Sequence, residues 1–325
     1  YSYTTVKRKC FTDFSSEYPV PGRPLPCCAP RKRCPKKVHS CQRQIVSFFK
    51  MPSRSVYRYA GRAFLRYVSD LWPGFSLAGL GGAAEEFRSA NFKLGGTDAP
   101  CKCQKCHRTR EGLSVNTADA GQAYEMLSLE FVLDSIDRLE RAIMRSPLPK
   151  RIAVKRQQKS ETYYCQGSSH PGCICFTVDE LLRCIRHLVM LRFYKIGNYY
   201  LLQRNGLPIG GPVSGQVLDA ILSWREFDTM TRRFSEWLEL PPMQDGGGPP
   251  LLPLLPSRPA PCVAVYSTSS KPAVSDQDLR AIEHFQTHVL ARRYVDDTAM
   301  TSRTLCEVCL DELREFIYGP YLTFD

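Results

Sequence analysis

With 325 residues, 36.9 kDa, 43% hydrophobic and 11% aromatic content, the chain has the make-up of an ordered protein with one large core or two smaller ones, which excludes disorder throughout. Charge is uneven: residues 1–110 hold 21 basic and 6 acidic side chains, net +15, leaving 23 basic against 26 acidic in the remaining 215. No run of eighteen apolar residues occurs and the opening YSYTTVKRKC lacks the apolar centre of a secretory leader, so the expectation is a soluble intracellular protein with no membrane partner.

Residues 1–55 are rich in Pro, Cys and basic side chains without sustained periodicity and read as a basic N-terminal arm. A polyanion partner would account for its charge, because each neutralised phosphate releases counterions; a solvated tail is the alternative. The run PRKRCPKK at 30–37 also permits a nuclear address. Fifteen cysteines in a long chain lack the framework spacing of a small secreted domain and are read mostly as free thiols.

Ordered structure is expected from residue 56. Apolar and aromatic residues recur at helical spacing from Val56 to Trp72, and a glycine-rich loop follows. LSVNTAD alternates so that Leu113, Val115, Thr117 and Asp119 share one side of a strand. Leu129, Val132, Leu133, Ile136, Leu139 and Ile143 then form the stripe of a long helix. Phe176–Leu191 reads as a second amphipathic helix, and FYKIGNYYLLQRNG as a hairpin turning at Gly197 and Asn198. A Gly/Pro loop at 206–212 leads into a helix marked by Val217, Leu218, Ile221, Leu222 and Phe227. Residues 239–275 are too dense in Pro and Gly for helix or central strand and read as an inserted loop. Two short strands around Val295, Asp296 and Asp297, a helix from about Leu305 to Phe316, and the strand-like YLTFD complete the chain.

A strand-end Asp and an Asp-Asp hairpin could together serve phosphoryl transfer, which uses two divalent ions about 4 Å apart, held by hard oxygen ligands. Three segments occur in an order that resembles the palm motifs of reverse transcriptases: DAGQAY at 119–124, GLPIGGPVS at 206–214 and YVDD at 294–297. The resemblance covers residues 60–325, with only those segments specific. It implies that Asp119, Asp296 and Asp297 are the catalytic metal ligands and that the ring of Tyr124 gates the ribose 2′-hydroxyl. It further implies that Gly206, Pro208, Gly210, Gly211, Pro212 and Ser214 form a loop supporting template and nucleotide, and that Tyr294 and Val295 pack beneath the primer end. Ile209 stands where many members of the family carry Gln or Met, and it cannot donate a side-chain hydrogen bond.

The fold so implied is α+β: the palm and fingers of a right-hand polymerase over residues 56–325, with an antiparallel palm sheet backed by helices. Because the chain starts at Tyr1 and stops in YLTFD, it is expected to be incomplete and the thumb missing. The implied function is RNA-directed DNA synthesis by a retroelement enzyme, with two Mg2+ ions, an RNA template, a DNA or RNA primer and dNTP. An RNA-directed RNA polymerase shares the palm, but Tyr124 opposes it; a non-catalytic nucleic-acid-binding remnant is the other alternative. Arg88, Lys93 and Arg110 precede the first Asp and are candidates for the triphosphate, though no motif singles one out. Zinc is not expected: neither the group Cys101, Cys103, Cys106 and His107 nor the group Cys165, His170, Cys173 and Cys175 has standard ligand spacing, and Cys306 with Cys309 is a lone CxxC.

Overall fold

A computed structural model describes residues 2–6, 42–46, 51, 53–77, 87, 94, 101–103, 113–121, 123–156, 161–167, 171–196, 199–203, 205–208, 210–239, 274–319 and 322–324. Most of the basic arm and nearly all of the Pro/Gly-rich insert lie outside these residues, as do Arg88, Lys93, Arg110, Cys106, His107, His170 and Ile209. Within the arm, β1 (Ser2–Val6) and β2 (Gln42–Val46) pair antiparallel, Ser2 opposite Val46.

Helix α1 (Arg54–Leu71) buries Ala60, Ala63, Phe64, Tyr67, Val68 and Leu71, spaced three and four apart, and keeps its arginines outward or partly covered. It packs beside α3 (Leu129–Arg145), α4 (Val178–Met190) and α5 (Ser214–Asp228). Ser128 and Thr177 cap α3 and α4 by accepting from the backbone N–H groups of Phe131 and Glu180, which fixes where each helix starts. Phe176 and Thr177, expected in the second helix, instead end a strand, because Thr177 is occupied as the cap. From α5 the chain winds through a π-helical turn (Thr229–Arg233) into α6 (Phe234–Glu239).

The main sheet is antiparallel and four-stranded, in the order β11 (Thr323–Phe324), β3 (Ser114–Gly121), β10 (Asp297–Ser302), β9 (Leu290–Tyr294). β3 alternates as expected, but its Leu113/Val115/Thr117 side is the open one, with Val115 51% exposed, while Asn116, Ala118 and Ala120 are buried. Underneath, Asn116 donates to Asp311 and accepts from Arg314, both on α8 (Glu307–Tyr318). The outer edge of β9 is covered by residues 75–77, through Arg293 N to Phe75 O and Leu77 N to Arg293 O, each 2.8 Å.

Several elements went unread in the sequence, among them three strands and a helix. The strands β4 (Arg151–Lys155), β5 (Thr162–Tyr164) and β6 (Cys173–Thr177) form a second antiparallel sheet, and α7 (Asp276–His288) docks Phe285 against Phe75 and Phe234. The expected hairpin is present as β7 (Phe193–Ile196) and β8 (Tyr199–Leu202). Among the described residues, no helix is long and apolar enough to cross a membrane.

Candidate active site

Asp119 stands near the end of β3, directly opposite Asp297, the first residue of β10, and Asp297 in turn faces Tyr294 at the end of β9. Residues paired this way across antiparallel strands project from the same face. Asp119 and Asp297 therefore share the open face of the sheet, with Tyr294 beside them; Asp297 and Tyr294 are exposed and Asp119 is half-buried.

Val295 and Asp296 form the two-residue turn between β9 and β10. Val295 has φ 60°, in the left-handed region that a β-branched side chain seldom occupies. Two hydrogen bonds hold it there: Arg293 Nη1 donates to Val295 O at 3.0 Å, and Ala120 N donates to Asp296 O at 3.2 Å. The second ties the turn to the residue after Asp119, so all three aspartates, from positions 177 apart in sequence, lie at one end of the sheet. The tip itself is apolar and solvent-facing, with Tyr294 40% and Val295 43% exposed.

Arg293 is the residue that sequence inspection missed. Only 1% of its side chain is exposed, and it pairs with Glu226 (Nε to Oε1, 2.5 Å) and Asp219 (2.8 Å) on α5. Glu226, fully buried, also accepts from Phe75 N and from the Tyr318 hydroxyl, both at 2.7 Å. Burial alone would weaken the guanidinium charge, but the Glu226 and Asp219 carboxylates outweigh it and hold the Arg293 pKa above its ordinary value. Burial, and secondarily the Glu226 charge, pushes the Tyr318 hydroxyl well above the usual range. The available signal was position: in LARRY, Arg293 alternates onto the same side as the buried Ala291.

The Gly/Pro loop meets the same region through Tyr124, which lies on the short helix α2 (Ala123–Met126). Leu207 N donates to Tyr124 O at 2.5 Å and Gly206 N to Leu127 O at 2.7 Å. The Tyr124 hydroxyl lies 3.6 Å from where a Cβ on Gly215 would stand, at the start of α5. Positive φ at Gly206 (76°) and Gly210 (89°) shapes the loop. Ser214 is buried and donates to Pro208 O at 2.7 Å, and a Cβ on Gly211 would clash with its Oγ. Ser214 thus braces its own loop rather than facing solvent; Pro208 is buried, whereas Pro212 is only half-buried.

No family model matches this chain, and no curated protein does. Among solved structures, it is similar to telomerase from Candida albicans in complex with a TWJ fragment of telomeric RNA, at 13% identity and a TM-score of 0.45 over 82% of this chain and 32% of that one. It is also similar to telomerase from Candida tropicalis, in complex with a TWJ fragment (10%, 0.47, 86% and 33%) and as the apo protein (12%, 0.46, 86% and 36%). The chain thus spans about a third of the length of those chains, and so faint a likeness has no bearing on function.

Proposed function

We propose that the chain is a reverse-transcriptase-like nucleotidyltransferase that adds deoxynucleotides to a primer 3′-hydroxyl along an RNA template. One observation supports this above all: Asp119 and the Val295–Asp297 turn meet at one end of an open sheet face, and Tyr124 is bonded to the loop at 206–214. The motifs are the whole support for a retroelement origin.

The donor set suits magnesium, because carboxylates on a solvent-facing strand end offer hard oxygen ligands and leave room for substrate phosphates. Asp119 and Asp296 would hold two ions, with Asp297 supporting. When bound, the metal supplies charge stabilisation for the transferring phosphoryl group and lowers the pKa of the attacking hydroxyl. The chain's own part is placement. Arg293 and Ala120 fix the turn, the exposed Tyr294 and Val295 offer an apolar seat for the primer end, and the Tyr124 ring excludes a 2′-hydroxyl. Little covalent chemistry is asked of the protein, since alignment and electrostatics carry the rate.

Primer extension on an RNA template tests the assignment through Tyr124. The unmodified chain is expected to use deoxynucleotides and reject ribonucleotides, while Tyr124→Val admits ribonucleotides with only a modest loss of deoxynucleotide addition. Equal use of both by the unmodified protein would remove the gate and favour RNA-directed RNA synthesis; use of neither, with nucleic-acid binding intact, would favour a non-catalytic remnant.

A further inference from the structure

Away from the aspartates, four buried cysteines converge from two distant segments. Cys101 and Cys103 precede β3; Cys306 immediately precedes α8 and Cys309 lies in its first turn. Sγ–Sγ separations are 3.6 Å for Cys101–Cys309, 3.7 Å for Cys101–Cys103 and 3.7 Å for Cys103–Cys306, and the four sulfurs all lie within 4.8 Å of one another. None of the four is joined in a disulfide. A disulfide would need about 2.05 Å, whereas four sulfurs each ~2.3 Å from a central zinc form a tetrahedron with edges of about 3.8 Å.

We infer that Cys101, Cys103, Cys306 and Cys309 form a structural zinc site, closed by four thiolates and distinct from the aspartate site. Each segment supplies a short-spaced pair, CxC and CxxC, and the pairs meet across 203 to 208 residues of sequence. Spacing alone hides this, because the first pair reads together with Cys106 and His107 and the second as a lone CxxC. Soft thiolate donors in a tetrahedral set favour zinc over magnesium or calcium.

The surroundings suit the negative charge of such a centre. Cys306 N donates to Cys101 Sγ at 3.2 Å, and the sulfurs lie at the N-terminal end of the twelve-residue α8, where backbone N–H groups have no intrahelical acceptor. Lys102 brings a cation between two ligands, its Nζ 3.9 Å from the centre of the Trp237 ring. The metal would join the segment leading toward β3 to the helix that follows β10. That helix carries Asp311 and Arg314, which hold Asn116 beneath β3.

The inference is independent of the polymerase reading, and metal analysis tests it directly. Protein purified under reducing conditions should carry about one zinc per chain, with X-ray absorption giving four sulfurs at about 2.3 Å. The double variant Cys306→Ser/Cys309→Ser should lose the metal, and Cys173→Ser/Cys175→Ser should keep it. Failure to take up zinc even when it is added, a shell containing nitrogen or oxygen, recovery of the four cysteines as disulfides, or the reverse pattern in the two variants would overturn the assignment.

Discussion

At the scale of single residues, the aspartate-bearing end of the sheet depends on a cation that never meets solvent. Arg293 neutralises Glu226 and Asp219, and also donates to the carbonyl of the strained Val295. Removing one partner of a buried ion pair leaves the other charge uncompensated and costs about 3–5 kcal/mol. Arg293→Met should therefore lower unfolding free energy by about that amount in urea titrations, and adding Glu226→Gln should restore part of it. A double variant no more stable than Arg293→Met would show that the guanidinium acts through packing alone. Nothing in the type of residue distinguishes Arg293 from its neighbour Arg292; only the alternation of LARRY does, because arginine is rarely buried.

At the scale of elements, strong periodicity made most helices legible, and the β9–β10 hairpin announced itself by its Asp-Asp pair. What stayed hidden had a physical reason. The β4 core is only Ile152, Ala153 and Val154, an apolar run too short to separate from a turn of buried helix. Helix α7 follows a proline-rich stretch and buries only Phe285 fully, so its amphipathic stripe is weak. The capping box at Thr177 offers a measurable contribution. Thr177→Ala should cost about 1 kcal/mol. Glu180 accepts from Thr177 N and Oγ1, which holds its pKa below the ordinary 4.5. A lowered carboxylate pKa contributes stability above that ordinary value and loses it as pH falls through the folded value. The difference between Thr177→Ala and the parent should accordingly shrink as pH drops below 4.5; a difference that grows toward acid would contradict the cap.

At the scale of the whole molecule, the motif order was the most informative part of the sequence. Local patterns could place Asp119 at a strand end and Asp296 in a turn, but only the tertiary pairing, Asp119 opposite Asp297 and Ala120 N bonded to Asp296 O, brings the two segments together. The cysteine pairs show the converse, since nothing local says that a CxC near residue 101 and a CxxC near 306 share one centre. The net +15 of the first 110 residues suits a polyanion, yet most of the arm lies outside the described residues, so its use remains a property of the sequence alone.

Loss of a metal-holding carboxylate removes several kcal/mol of transition-state stabilisation, which corresponds to roughly a thousandfold in rate. The most direct measurement is magnesium-dependent primer extension on an RNA template by the unmodified chain and by Asp119→Asn and Asp296→Asn, with circular dichroism and nucleic-acid binding followed in parallel. Extension that falls by about 10³ in both variants while fold and binding persist is the predicted result; variants that extend as fast as the parent would contradict it.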